Sequence, residues 1–169
     1  IIDCGSNYGI SIVYFKKIFP NAIIIGYEAD SSIYEYLKYN IDLRNYKDVT
    51  LHNLAIWNEV TELEFFSEGA DGGRLINKSF TPKKINRIQT TTLSSIIKDR
   101  KVDMLKIDIE GAETEVLIEC KEDLKNVENI FIEYHSFQNS EQTLDVILKI
   151  LKESGFRYQI HKQFSSPTP

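Results

Sequence analysis

The chain has 169 residues, 42% of them apolar and 27% charged, with a formal net charge of −5. That make-up describes one globular domain long enough to bury a substantial core. An acidic balance argues against a general nucleic-acid binder, and no apolar run approaches the ~20 residues that cross a bilayer, so neither nucleic acid nor membrane is expected as a partner.

The chain opens inside an apolar run without an initiator Met, as though an N-terminal segment precedes it. Cys4 and Cys120 are too few for a disulfide framework, so buried thiols and a reducing, cytoplasmic setting are expected. Ile1 to Cys4 reads as a strand running into Gly5-Ser6-Asn7-Tyr8-Gly9, a turn with glycines four apart. Ile10, Val13, Tyr14 and Ile18 then follow helical spacing up to Pro20. Ala22 to Glu28 is a second strand, apolar enough to be covered on both faces of a parallel sheet.

Strand, glycine turn, helix, strand and acid together form the unit that seats a nucleotide-like ligand at the carboxyl edge of a parallel sheet. The glycines allow close backbone approach, and the helix N-terminus offers unpaired N–H groups. Glu28 can accept hydrogen bonds from a ribose diol. The dinucleotide fingerprint has glycine at its first, third and sixth positions, whereas Asn7 stands third here and Gly9 fifth. Asp3 lies two residues before Gly5, where a carboxylate suits a ligand carrying an ammonium and a sulfonium better than a pyrophosphate. Asp3-x-Gly5-x-Asn7-x-Gly9 resembles motif I of the class I S-adenosyl-L-methionine-dependent methyltransferases, and Glu28 resembles their ribose-binding acid. The competing reading is an ordinary glycine-rich βαβ turn.

Further along, Ser32-Ile33-Tyr34-Glu35 has the form of a capping box opening a helix to about Leu43, with Ile33, Leu37 and Ile41 on one face. Val49 to Trp57 reads as the third strand, and a turn at Asn58-Glu59 leads into Glu62 to Phe66 as a hairpin. Residues 67–90 change character. Ser67 to Gly73 is too polar and glycine-rich to pack, and Arg74, Lys78, Lys83, Lys84 and Arg87 follow. This stretch is either a solvated excursion or a lid whose cations face an anionic group on a substrate. Ile88 to Thr92 resembles a short strand, followed by a helix from Leu93 to about Lys98. Val102 to Ile109 is a buried strand, Ala112 to Cys120 a helix, and Glu128 to Tyr134 another strand. Ser140 caps a helix with a stripe of Leu144, Ile147, Leu148 and Leu151, which Gly155 stops. Phe156 to His161 reads as a final strand and Ser165 to Pro169 as a frayed tail. The alternation predicts an α/β fold, doubly wound, with a mostly parallel sheet and helices on both faces. One domain is expected over 1–164, with the excursion at 67–90 and a flexible tail at 165–169.

Two later strands end in ionisable groups. Asp108 and Glu110 share one face if the strand continues that far, and so do Glu133 and His135. Buried charge is unfavourable unless paired or used, so this convergence favours a site over a core. His52 and His161 read as structural histidines, and His135 as either structural or catalytic. Glu113 can be explained as a first-turn acid of its helix.

Lys106-Ile107-Asp108-Ile109-Glu110-Gly111-Ala112-Glu113, with Glu133-Tyr134-His135 further on, resembles the FkbM family of methyltransferases. The Ala55-Ile56 strand end and the polar insertion before a short Thr-rich segment are also similar to that family. The resemblance runs from Ile1 to about Ile160, although only Phe156 to His161 stands for the C-terminal strand pair of the class I sheet. It implies methyl transfer from S-adenosyl-L-methionine to a hydroxyl of a sugar or other small natural product. Asp3, Gly5, Ser6, Asn7 and Gly9 would then form the loop at the methionine end, with Glu28 at the ribose and Ala55 and Ile56 near the adenine. Asp108 is the first candidate base and His135 the second, with Glu110 and Glu133 orienting them or binding the acceptor. Oxygen ligands suit Mg²⁺, but no metal is part of the expected site. An NAD-dependent oxidoreductase on the same fold and a non-catalytic cofactor-binding module remain as alternatives. The expected partner is a small-molecule or carbohydrate acceptor.

Overall fold

The computed structural model describes residues 1–67, 73–75, 85–137 and 139–161, with side chains outside the description at 65–67, 73–75, 85 and 86. Its first half comprises β1 (Ile2–Cys4), α1 (Ile10–Ile18), β2 (Ile24–Tyr27), α2 (Ser31–Asp42), β3 (Val49–His52), β4 (Ala55–Trp57) and β5 (Glu62–Ser67). There follow β6 (Gly73–Leu75), β7 (Ile85–Thr92), α3 (Leu93–Ile97), β8 (Leu105–Ile107), α4 (Glu113–Cys120), β9 (Ile130–Ile132) and α5 (Leu144–Glu153).

Five strands form a parallel sheet in the order β3-β2-β1-β8-β9. On one face Ile12 of α1 and Leu37 and Ile41 of α2 pack with Ile24. On the other, Ile2, Cys4, Leu105 and Ile107 meet α3, α4 and α5 through residues such as Ile97, Val116, Leu117 and Ile147. This is the doubly wound α/β arrangement expected, with helices on both faces. Register places the site. Cys4 is paired with both Tyr27 and Ile107, Ile107 with Ile132, and Tyr27 with His52. The five strands therefore end level, and the segments that follow them all leave at one edge.

Several elements depart from the sequence-based expectations. The cap of α2 is Asp30, not Ser32: its Oδ1 accepts from the Ser32 and Ile33 amides at 2.8 and 3.3 Å. A carboxylate two residues upstream already satisfies those donors, so the Ser32–Glu35 pattern lies inside the helix. The stretch 49–57 is two strands in different sheets. Asn53 breaks it by donating its amide to the carbonyls of Glu28 and Ala29 at 2.8 and 3.1 Å. β3 stays in the parallel sheet and β4 crosses to a second one, ordered β4-β7-β5-β6.

The expected hairpin after Asn58-Glu59 is also absent. β7 lies between β4 and β5, parallel to the first and antiparallel to the second, while β5 turns back onto β6. Part of the 67–90 excursion is thus strand. Residues 68–72, Lys78, Lys83 and Lys84 lie outside the described residues, as does the side chain of Arg74. Arg87 pairs across the strands with Glu62 at 3.3 Å, both exposed.

Near the C-terminus, α5 is preceded by Thr143 rather than capped by Ser140, and the Thr143 hydroxyl is 2.6 Å from that of Thr114. Phe156 to His161 is not a strand: the Phe156 amide closes the end of α5 by donating to the Leu151 carbonyl at 2.9 Å. The tail at 165–169 lies outside the described residues. No described helix is long and apolar enough to cross a membrane. Cys4 and Cys120 are free and buried, and burial pushes the Cys120 thiol up to about 12.

Candidate functional site

The glycine loop leaves β1 by hydrogen bonds rather than by packing. The Gly5 and Ser6 amides both donate to the Tyr27 carbonyl, at 3.0 and 2.9 Å, and the Gly9 amide donates back to the Ser6 carbonyl at 2.8 Å. Gly5 has φ +81°, and a Cβ there would lie 1.8 Å from the Asp108 carbonyl oxygen. Only glycine lets the loop pass so close to the segment that follows β8. Gly9, at φ +85°, precedes α1 where a Cβ would come within 2.7 Å of Leu37 Cδ1.

Glu28, at the tip of β2, fastens this loop. Its Oε2 accepts from the Asn7 amide and its Oε1 from the Asp30 amide, both at 2.8 Å. Burial raises its pKa against the pull of those backbone bonds. Each carboxylate oxygen has a second lone pair and can also accept from a hydroxyl. Asn7 itself sits at φ +47°.

Asp3 is fully buried, and its Oδ2 accepts from the Ser11 hydroxyl at 2.6 Å. Its Oδ1 lies 3.3 Å from Lys106 Nζ, which also meets Asp108 Oδ2 at 3.1 Å and donates to the Gly5 carbonyl at 3.0 Å. A protein ammonium therefore stands beside Asp3, where the sequence reading expected the ammonium of a ligand. Ser6 is buried with its hydroxyl donating to the Asp3 carbonyl at 3.2 Å, so its side chain faces inward. Ala55 and Ile56 begin β4 with their side chains in the core.

Across from the loop, the ends of β8 and β9 and the start of α4 bring five ionisable groups together. His135 Nδ1 is 3.0 Å from Glu113 Oε1. Its Nε2 faces Glu110 at 3.5 Å, Glu133 at 3.7 Å and Asp108 at 4.0 Å. Glu113 is 1% exposed and also accepts from the Gly111 amide at 3.0 Å. The hydrogen bond to Glu113, helped by the charges of Glu110, Glu113 and Asp108, outweighs burial and raises the His135 pKa to about 9. The ring is an imidazolium at neutral pH, with Phe137 stacked 6.4 Å away. Burial raises the Glu110 pKa, while His135 pulls it down. Asp108, Glu133 and His135 each present one atom within 4.8 Å of the others, a set that suits a divalent cation only when the His135 ring is deprotonated.

Asp108, Glu110, Glu133 and His135 are thus gathered as the sequence suggested, and the Asp108 backbone touches the glycine loop. Two residues were missed. Glu113, read as a first-turn acid, is the group that holds His135. Lys106 sits within an apolar buried strand, and a cation there demands a partner; that was the signal. His52 stacks on Tyr27 at 5.0 Å, in keeping with a structural role. A broad groove at the opposite, amino-terminal edge is lined by Ile1, Phe19, Ile23, Arg100 and Phe131, and by none of these site residues.

The profile of the Methyltransferase FkbM domain matches residues 3–158. The chain belongs to the FkbM methyltransferase family. Methyltransferase 1 of Beauveria bassiana (strain ARSEF 2860) is 22% identical over 140 aligned positions, covering 69% of this chain and 56% of the relative. Methyltransferase sdnD of Sordaria araneosa is 21% identical over 194 aligned positions, covering 95% of this chain and 69% of the relative. The chain thus spans little more than half the length of the first relative. No solved structure matches it. The matched residues include the parallel sheet whose carboxyl edge carries the loop and the acid rim.

Proposed function

We propose that this FkbM-family methyltransferase uses S-adenosyl-L-methionine and methylates a hydroxyl oxygen on a sugar or another small natural product. The observation that carries the reading is the meeting of the glycine loop with the acid rim, where a Cβ on Gly5 would lie 1.8 Å from the Asp108 carbonyl. The residues present fit the donor. Glu28 keeps acceptor capacity for a ribose diol, and the first-turn amides of α1 suit the carboxylate of a methionine moiety. With their side chains in the core, Ala55 and Ile56 could meet an adenine only through their backbone. When bound, the donor supplies a methyl group already activated by its sulfonium.

What remains for the protein is alignment and proton removal. Holding the acceptor in line can supply several kcal/mol of the barrier, out of the ~7–11 kcal/mol that ideal positioning offers. A base adds a factor of about 10²–10⁴. Asp108 is the better base of the two candidates, because His135 already carries its proton at neutral pH. His135 instead holds the carboxylates of Glu110, Glu133 and Asp108 around the acceptor. Burial of both free thiols is in keeping with a reducing compartment such as the cytoplasm.

The test is calorimetric titration with S-adenosylhomocysteine and, separately, NAD. The expected result is one S-adenosylhomocysteine bound per chain, weakened by Glu28→Ala by about tenfold or more, the effect of losing a charge-assisted hydrogen bond. Binding of NAD alone would restore the oxidoreductase reading. Donor binding without turnover on any hydroxyl acceptor would favour a non-catalytic module.

A further inference from the structure

Lys106 lies in β8 between Leu105 and Ile107, both fully buried, and its own side chain is 12% exposed. An ammonium in such a position is unfavourable unless its hydration is replaced by partners of good geometry. It has three, each from a different segment: Asp3 on β1, the Gly5 carbonyl in the glycine loop and Asp108 beyond β8. Lys106 donates a hydrogen bond to the Gly5 carbonyl, and the two carboxylates face it as ion pairs, Asp3 Oδ1 having no hydrogen-bond partner of its own. The register accounts for the first of them, because Asp3 and Lys106 are directly paired across β1 and β8. Burial lowers the Lys106 pKa, but Asp3 and Asp108 more than offset it, and the group stays charged. The Asp108 carboxylate is thereby divided: Oδ2 faces Lys106, while Oδ1 is turned to the His135 side.

We propose that Lys106 is a positioning residue that ties the glycine loop to the Asp108 carboxylate, fixing the donor side of the site against the acceptor side. The meaning of the two sides rests on the methyl-transfer reading above; the tie itself rests on the three contacts. It is distinct from a bland alternative, in which Lys106 only neutralises the buried Asp3. If neutralisation were its whole role, removing both charges would restore everything that removing one had damaged. If Lys106 positions the loop, that double change would restore stability and leave the loop adrift.

A double-mutant cycle separates the two, using wild type, Asp3→Asn, Lys106→Met and the double variant. Lys106→Met alone should lower the melting temperature, and in the double variant the melting temperature should return to that of Asp3→Asn. Affinity for S-adenosylhomocysteine, read by calorimetry, should stay about tenfold weaker in the double variant than in Asp3→Asn, as expected for a lost charge-assisted hydrogen bond. Equal affinity in those two proteins would overturn the proposal. Amide hydrogen exchange at Asn7 and Asp108 gives a second readout that needs no ligand. It should quicken by about tenfold between Asp3→Asn and the double variant, a local opening of the loop. Unchanged exchange would overturn the tie even if the donor assignment stands, whereas quickened exchange without any donor binding would sustain the tie and sink the donor assignment.

Discussion

The two halves of the site meet at one sheet edge but are made of different materials. The half proposed to hold the donor is mostly backbone: glycines at Gly5 and Gly9, and the amides of Asn7 and Asp30, which the carboxylate of Glu28 fastens. The half proposed to face the acceptor is a set of ionisable side chains arranged around His135. A backbone cradle should tolerate pH and fail on an added methyl group; a charged rim should behave the other way round. Lys106 is where the two halves join.

The largest effect should come from the cradle. Gly5→Ala puts a Cβ into the Asp108 carbonyl at a positive φ, where neither backbone can yield cheaply. Overpacking of this kind should destabilise by about 3 kcal/mol or more, read as a fall in the urea midpoint, and should abolish S-adenosylhomocysteine binding. A stable Gly5→Ala protein with normal affinity would break the comparison.

Next comes the rim. Asp108→Asn should lower turnover by about 10²–10⁴-fold, well beyond the loss of about tenfold or less in product affinity expected from slackening the Lys106 tie, measured by initial rates and calorimetry. Loss of affinity with undiminished turnover of bound substrate would move Asp108 to the donor half.

The third effect is one of pH. His135 is protonated more readily in the folded chain than in the unfolded one, its pKa being raised to about 9 by Glu113 first. Its contribution to stability is therefore complete below the unfolded value, about 6.5, and is lost as pH rises through the folded value. The melting temperature should fall between pH 6.5 and 9 by about 2–4 °C, and by less in Glu113→Gln. The smallest effect lies outside the site. Arg87→Ala removes an exposed pair with Glu62 and should change stability by less than about 1 kcal/mol.

The same contrast explains what could be read from the chain alone. In the parallel sheet, local signals agreed with the final structure. Glycine spacing, an acid at the end of β2 and carboxylates at the ends of β8 and β9 all lie within a few residues of the strands that aim them. The second sheet depended on partners distant in sequence. Glu62 to Phe66 reads as one arm of a hairpin with the strand just before it, yet it pairs with a strand some twenty residues later. A single side chain, Asn53, marks the break of 49–57 into two strands, its amide nitrogen donating twice to β2's exit and its Oδ1 accepting from Ser31.

Within the site, identities were legible and pairings were not. Glu113 could be accounted for by the helix dipole alone, so its hold on His135 was hidden until β9 and α4 were brought together. Asp3 reads as a carboxylate suited to a cationic ligand, but the cation facing it in the structure belongs to Lys106, on a strand far along the chain.

The central claim, that loop and rim are two sides of one donor–acceptor crevice, is tested most directly by a crystal structure with S-adenosylhomocysteine bound. The account predicts the ribose hydroxyls on Glu28 and the sulfur between the Gly5 loop and the Asp108–His135 rim. A product seated in the groove at the amino-terminal edge, or one held at the loop with its sulfur turned away from Asp108, would contradict it.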